Sequence, residues 1–242
     1  LGQNFSKIFN IKVGSSTGNP LHVYQTSWGF TTRSIGAMIM AHKGIIPPTV
    51  APIQIVLIPV IFKKGKEEVM KYAEEVYNSI SSNFRIEIDL RQKNPGWKYN
   101  YWETKGVPLR IEVGPKDMEN NGMQLCRRDR FKEKIFVSND DSLIVTLDNM
   151  LKTIQQDLYK VSEEKLLNSI IKTQNLLQIE TNIKNKKISY CSFCESKDCE
   201  DHLQELGVKS LCIPDINLYK TSGNCIVCDK KTNIDCLFGK TF

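Results

Sequence analysis

The 242-residue chain lacks any run of 18 or more apolar residues, which excludes a membrane-spanning helix and with it a membrane partner. The apolar stretch at 53–62 is too short to span and contains Pro59, so it reads as a buried strand. Histidine is scarce: His22, His42 and His202 are scattered, and none suggests the base of a catalytic cysteine. Internal repeats and low-complexity tracts are missing, which excludes a repeat array. Neither an initiator methionine nor a basic-then-apolar signal pattern opens the chain. It starts at Leu1 inside what reads as a folded element, as a fragment of a longer polypeptide would. Charge of one sign is only slightly in excess. Lys and Arg number 33 against 27 Asp and Glu, and the net +6 favours a polyanionic partner without demanding one. Eight cysteines are too few for a disulfide scaffold.

What is present is ordinary in bulk and informative in arrangement. The length suits one or two cored domains, and 40% apolar with 25% charged residues is normal for a globular chain. A first block to about residue 51 alternates short strand-like runs with a helix, with a loop at 14–20. A second block, 52–150, alternates strands and helices. Residues 54–62 form a near-continuous apolar strand, and Val69, Tyr72, Ala73, Val76, Tyr77 and Ile80 recur at helical spacing. Phe84, Ile86, Ile88 and Leu90 alternate, as do Val107, Leu109, Ile111 and Val113, and each set marks a strand with one buried face. Strands at 123–128 and 134–137 follow. A helix then runs through Leu143, Leu147, Leu151, Ile154 and Leu158. A long polar helical stretch from Ser162 to Lys187 leads to short strands around Ser189, Leu211 and Leu237. The layout is α/β (α+β) around a mixed sheet.

The most informative segment runs from Tyr24 to Met40, with Ser27-Trp28-Gly29 followed by Thr31 and Arg33. One arginine stands between a small-residue strand and the first turn of a helix. Gly29 lets a backbone approach a small substrate, and Trp28 offers a rigid apolar wall for a compact ring. Arg33 can stack on an adenine while donating hydrogen bonds. Ile35, Met38 and Ile39 are spaced to bury one face of the helix. The segment closely resembles the third signature motif of class II aminoacyl-tRNA synthetases, in the form found in prolyl-tRNA synthetases. A second resemblance lies in Asp89-Leu90-Arg91, Pro95-Gly96-Trp97-Lys98, Trp102-Glu103 and Lys105 to Asp117, continuing through Arg127-Arg128-Asp129. This run is similar to the anticodon-binding domain of the same family. Proline anticodons end in two guanines, whose unstacked edges suit carboxylates paired with Arg or Lys, while aromatic rings stack on the faces. Arg110 and Glu112 share one strand face, and Glu103 and Lys105 precede that strand in an expected loop. The resemblance makes Arg110 and Glu112 the leading anticodon-reading residues, with Lys105, Arg128 and Asp129 next.

Seven cysteines fall in the last 52 residues. That clustering reads as a metal site in a reducing compartment. Cys225 and Cys228 form one short-spaced pair of the kind zinc uses. Spacing alone favours Cys191 and Cys194 as the other pair. Cys194-Glu195 through Asp201 resembles the C-terminal domain of eukaryote-like prolyl-tRNA synthetases, which implies Cys194, Cys199, Cys225 and Cys228 instead. Four protein ligands leave no open position, so a structural site is expected. Cys126, Cys212 and Cys236 read as buried apolar thiols. The family's last residue is a tyrosine after a Phe-Gly pair; here Phe238-Gly239 is present but the chain closes on Phe242.

The resemblance implies four parts. Residues 1–51 would be the end of a class II antiparallel-sheet catalytic domain, 52–150 an α/β anticodon-binding domain, 151–187 a helical connection, and 188–242 a small α+β zinc-binding domain. It implies a cytoplasmic, homodimeric proline–tRNA ligase that activates L-proline with ATP and Mg²⁺ and esterifies it to tRNA(Pro). Arg33 would hold ATP with Thr31 in support, and Ser27, Trp28 and Gly29 would line the proline pocket. Motifs one and two, which supply the dimer interface and an α-phosphate arginine, would lie upstream, so the chain alone should make no prolyl-adenylate. Residues 41–44 are also shorter than the family's loop. Two competitors remain: a non-catalytic tRNA-binding or regulatory protein that keeps the anticodon and zinc modules, and a zinc-ribbon DNA-binding protein. An intact Ser27-Trp28-Gly29 with Arg33 argues against the first, and residues 1–60 argue against the second.

Overall fold

A computed structural model describes residues 1–14, 16, 18–61, 65–130, 133–215, 218–219 and 223–240. The expectations for Phe62 and Phe242 lie outside the described residues. The chain divides into two compact units, Leu1–Asp140 and Asp141–Phe242.

The first unit opens with helix α1 (Asn4–Ile8), an antiparallel pair β1 (Lys12–Val13) and β2 (Leu21–His22), and helix α2 (Thr32–Ala41). Residues 23–31 carry no regular structure, so the expected small-residue strand before Arg33 is not formed. A strand needs a neighbour for its backbone groups along its length; here only the Val23 and Gln25 amides find backbone acceptors, at Ile11 and Gly2, and the backbone bonds of the described residues do not continue as a ladder toward Arg33. Nor does α2 bury Ile35, Met38 and Ile39: none of its residues is buried, and Ile35 and Ile39 are exposed. A helical apolar stripe is covered only where a second surface meets it, and of the three apolar residues only Met38 is even half-buried.

From Ile55 the expected strands of the first unit and its first long helix are formed. Strand β3 (Ile55–Pro59) is buried along its whole length, as a strand with both faces covered must be. Helix α3 (Lys66–Ile80) buries Val69, Ala73, Val76 and Ile80, with Glu67 and Glu68 in its first turn. Then come β4 (Ile86–Ile88), α4 (Pro95–Thr104), β5 (Leu109–Val113), α5 (Pro115–Glu119), β6 (Gly122–Arg127) and β7 (Lys134–Ser138). The strands form one mixed sheet in the order β4-β3-β5-β6-β7. β3 is parallel to both β4 and β5, while β5-β6 and β6-β7 are antiparallel.

Two expectations about exposure fail here. The β4 alternation breaks at its end, where Asp89 is 2% exposed and Leu90 turns outward. Strand β5 has no solvated face, because Glu112 is buried with its apolar neighbours. Both carboxylates are drawn inward by the cation and indole partners described below.

The segment before β3 is fastened to this sheet. Arg85 donates from Nε to the Ala51 carbonyl at 2.8 Å and from Nη2 to Pro48 at 2.9 Å and Thr49 at 3.2 Å. The Ile46 amide donates to the Gly106 carbonyl at 2.9 Å. Gly106 has φ +78°, and a Cβ there would lie 2.6 Å from Ile46.

The second unit begins with α6 (Leu143–Leu167), which buries the five residues that its spacing picks out. It runs unbroken through residue 150, where the sequence reading set a domain boundary. The expected polar helix from 162 to 187 is instead three elements: the end of α6, strand β8 (Ile170–Lys172) and helix α7 (Leu176–Lys184). Ile170 is buried in β8, paired in parallel with β9 (Ile188–Ser192). Helix α8 (Lys197–Glu205), β10 (Lys209–Cys212) and β11 (Asp235–Gly239) complete a four-stranded sheet ordered β10-β11-β9-β8. Its core gathers Ile179, Cys191, Phe193, Cys199, Leu203, Val208, Cys225, Cys236 and Phe238.

Candidate nucleic-acid interface and metal centre

The register of the first sheet sets Arg110 of β5 opposite Cys126 of β6, and Cys126 opposite Lys134 of β7. Glu112, two residues along β5, lies on the same face as Arg110. It accepts from Arg110 Nε at 2.9 Å, from Lys134 Nζ at 2.6 Å and from Cys126 Sγ at 3.3 Å. Arg110 also donates from Nη1 to Glu103 of α4 at 3.0 Å, and its guanidinium lies 4.0 Å from the Tyr99 ring centre. Burial pushes the Glu112 carboxyl up, but Lys134, Arg110 and the Cys126 thiol outweigh it and hold the group below its usual range. Burial likewise disfavours charge on Arg110, but the facing carboxylates prevail and raise its pKa. Burial lifts the Cys126 thiol to about 11, so it donates to Glu112 as a neutral group. Cys126 is therefore a polar member of the network, not a bland apolar thiol.

Tyr99, Trp102, Glu103, Arg110, Cys126, Arg127 and Arg128 border one cleft. Glu103 is not in a loop as expected; it belongs to α4, and Lys105 is the C-cap of that helix. The structure thus joins Arg110, Glu112 and Arg128 in one region. Lys105 instead lies 5.6 Å from the Tyr101 ring. Asp129 binds Arg127 through both carboxylate oxygens, at 3.0 and 2.6 Å. Sequence reasoning left out Glu103, Tyr99, Arg127 and Lys134 as site residues. The first two sit on a helix that the apolar pattern does not announce.

A second ionic cluster gathers around Asp89 and shares Trp102 with the cleft. Asn94 caps α4 by accepting from the Trp97 amide at 2.8 Å, with Pro95 in its first turn. Buried Asp89 accepts from Arg91 Nε at 3.0 Å and Nη2 at 2.6 Å, and from Trp102 Nε1 at 2.7 Å. Lys98 is buried and donates to the Asp89 carbonyl at 2.7 Å. Burial alone would raise the Asp89 carboxyl; the bonds from Arg91 and Trp102 pull it below its ordinary value.

In the first segment Thr31 occupies the N-cap position of α2 and Arg33 its first turn, as the sequence implied. Ser27, Trp28 and Gly29 are exposed, and Trp28 shows 92% of its surface to solvent. The described residues alone therefore do not enclose a small substrate there.

In the second unit Cys194 follows β9, Cys199 sits in the first turn of α8, and Cys225 and Cys228 flank a tight turn. The four sulfurs lie within 4.8 Å of one another, with Cys194 at 3.6 Å from Cys199 and 3.7 Å from Cys228. A tetrahedron with Zn–S bonds of about 2.3 Å has S···S edges of about 3.8 Å, so the cluster fits that ion. Burial raises the Cys225 thiol, but the Cys228, Val227 and Cys194 amides overcome it and bring it down to about 7. Cys191 is not in the cluster. It is buried in β9, opposite Cys236 of β11. Cys236 is buried as expected, whereas Cys212 is exposed at the irregular end of β10.

These features define a class: a mixed-sheet α/β domain with an ion-paired cleft, joined in sequence to a small domain with a four-cysteine cluster. The family model "Anticodon binding domain" matches residues 54–157, and "Prolyl-tRNA synthetase, C-terminal" matches 177–242. The proline–tRNA ligase of Clostridium novyi is 38% identical over 248 residues, covering 100% of this chain and 51% of that protein. That of Natranaerobius thermophilus is 36% identical, covering 94% of this chain and 48% of its own length. The crystal structure of Cryptosporidium parvum prolyl-tRNA synthetase with L-proline and AMP superposes with TM-score 0.90 at 38% identity, over 100% of this chain and 52% of that one. By sequence and fold the chain belongs with the C-terminal part of the prolyl-tRNA synthetase family. It spans about half the length of the curated relatives it matches.

Proposed function

We propose that this chain is the tRNA-reading and C-terminal part of a proline–tRNA ligase. The observation that carries the reading is the Glu103–Arg110–Glu112 network, closed around a buried Glu112, inside a domain matched by the anticodon-binding family model. An arginine held between carboxylates has its fork fixed in advance, so a guanine edge meets an ordered set of donors and acceptors. Arg128, Asp129 and Lys105 border or flank that reading site. In the parent reaction a proline carboxylate oxygen attacks the α-phosphorus of ATP and pyrophosphate leaves. A ribose hydroxyl at the tRNA 3′ end then attacks the carbonyl carbon of the adenylate and AMP leaves. Arg33 and Thr31 would serve ATP, and Ser27, Trp28 and Gly29 the proline ring. Mg²⁺ would accompany ATP through acidic groups elsewhere in the parent. The enzyme would act as a cytoplasmic homodimer joined through catalytic segments upstream. Cys194, Cys199, Cys225 and Cys228 would hold one structural zinc, which fixes β9, α8 and the 225–228 turn and takes no part in the chemistry.

One observation favours a narrower reading for the 242 residues alone. With Trp28 exposed and α2 unburied, they would bind the tRNA without activating proline. ATP–pyrophosphate exchange with each of the twenty amino acids, run beside tRNA binding, separates the two. Exchange with proline alone supports the ligase. Selective binding without exchange supports the tRNA-binding part. Silence in both overturns the reading.

A further inference from the structure

Helix α4 has two flanks. Tyr99, Trp102 and Glu103 border the cleft with Arg110. The opposite flank carries Trp97, Tyr101 and Lys105, each one turn or about 6 Å beyond the last. The Trp97 and Tyr101 rings stack with centres 5.3 Å apart and planes 17° from parallel. Three cations converge on those two rings. Arg91 sits 3.9 Å from the Tyr101 centre and 4.9 Å from that of Trp97, Lys93 lies 5.7 Å from Trp97, and Lys105 lies 5.6 Å from Tyr101. Asp89 is the carboxylate partner at this cluster, and both of its oxygens are engaged, by Arg91 and by the Trp102 indole. Neither Lys93 nor Lys105 makes an ion pair that neutralises it among the described residues.

Like charges gathered around an exposed Trp97 ring and a half-buried Tyr101 ring repel one another unless an anion joins them. The local arrangement is also held still. Arg91 is fixed by two bonds to Asp89, and Asp89 is locked by the buried Lys98 and Trp102. Trp97 nonetheless keeps 42% of its surface open. Rings interleaved with cations along one face are what single-stranded nucleic acid takes: a base stacks on the ring and a phosphate meets the charge.

We propose that the Trp97–Tyr101 flank of α4, with Arg91, Lys93 and Lys105, is a sequence-independent contact for single-stranded RNA. It holds nucleotides of the anticodon loop that flank the bases read in the Arg110 cleft. This rests on the reading that the chain binds a proline tRNA. Trp97 supplies the stacking face, Lys93 and Lys105 the phosphate charges, and Arg91 positions the rings.

The test is binding of the intact chain to a proline tRNA transcript and to one with both anticodon guanines replaced, across a range of salt. Trp97→Ala should weaken both complexes by the same factor, about tenfold, while Trp97→Phe keeps a ring and restores most of the loss. Lys93→Ala should lower the slope of log K against log salt by about 0.7 to 1. Arg110→Ala should instead collapse the ratio between the two transcripts. Wild-type binding by both the Trp97 and Lys93 variants overturns the inference and leaves the functional reading intact. So does a Trp97→Ala loss confined to the cognate transcript. Failure of the unaltered chain to prefer the proline transcript overturns the functional reading, and the inference with it.

Discussion

Glu112→Gln removes one charge from the centre of the cleft while keeping the shape of the side chain. Glu112 is 3% exposed and receives Arg110, Lys134 and Cys126 at once. Removing one partner of a buried pair costs about 3–5 kcal/mol, because the other charge stays buried without compensation. Glutamine retains an acceptor, Arg110 keeps Glu103, and Lys134 is more than half exposed and so screened. These considerations place the loss at the low end, about 3 kcal/mol. All three tryptophans, Trp28, Trp97 and Trp102, lie in the first unit, so tryptophan fluorescence during urea unfolding reports that unit alone. With an m-value of about 2 kcal/mol/M the midpoint should fall by about 1.5 M at pH 7. The pH dependence carries a sign. Glu112 titrates below its ordinary 4.5 in the folded chain, so its stabilisation is present above that pH and fades as pH falls through the lowered folded value. The gap between wild type and variant should therefore close in acid. An unchanged midpoint at pH 7, or a gap that stays constant to pH 3, would refute the account of the network.

Four further outcomes follow from other parts of the fold. Purified chain should carry one zinc, with Cys228→Ser reducing metal content to background and Cys191→Ala leaving it unchanged, as read by atomic absorption. Gly106→Ala should cost about 2 kcal/mol or more, since its backbone is left-handed and the new Cβ would meet Ile46 at 2.6 Å and the Gly44 carbonyl at 2.9 Å; thermal unfolding reads this. Arg85→Met should loosen the 48–51 turn by removing three carbonyl contacts, detected as faster amide exchange there with the sheet unchanged. Asp89→Asn should weaken tRNA binding with both anticodons alike, because it frees Arg91 from the position that organises Trp97 and Tyr101.

Much of the architecture was legible because burial follows period. The apolar run of β3 and the spacing of Val69, Ala73, Val76 and Ile80 in α3 each point to one structure, and so does the five-residue stripe of α6. The cleft was legible only in part. Arg110 and Glu112 share a face by strand geometry, but their burial depends on Lys134 and Glu103, which reach them through the register of β7 and the placement of α4. Helix α4 itself carries aromatic and charged residues around its whole circumference after a Pro-Gly start. No hydrophobic stripe announces it; the Asn94 cap does. Leu90 and Asp89 exchange places against the alternation because Arg91, Trp102 and Lys98 satisfy a carboxylate more strongly than a leucine fills the site. For the cysteines, spacing alone favours the quartet with Cys191, and the family resemblance favours the one with Cys199. The pairing of Cys191 with Cys236 across β9 and β11 takes the first out of reach, which no spacing rule contains.

The four converging sulfurs come from two short-range pairs, and the chain from Cys199 to Cys225 joins them. A metal bound by all four would staple that stretch at both ends, so its length would hardly matter to stability. The cost of closing a loop rises only as the logarithm of its length, and each doubling adds about 0.6 kcal/mol. Strand β10 uses Lys209–Cys212 of that stretch to pair with β11, and Tyr219 fastens it a second time by donating to the Ile170 carbonyl at 3.2 Å, so removing the metal would release the cysteine ends while the middle stays on its sheet.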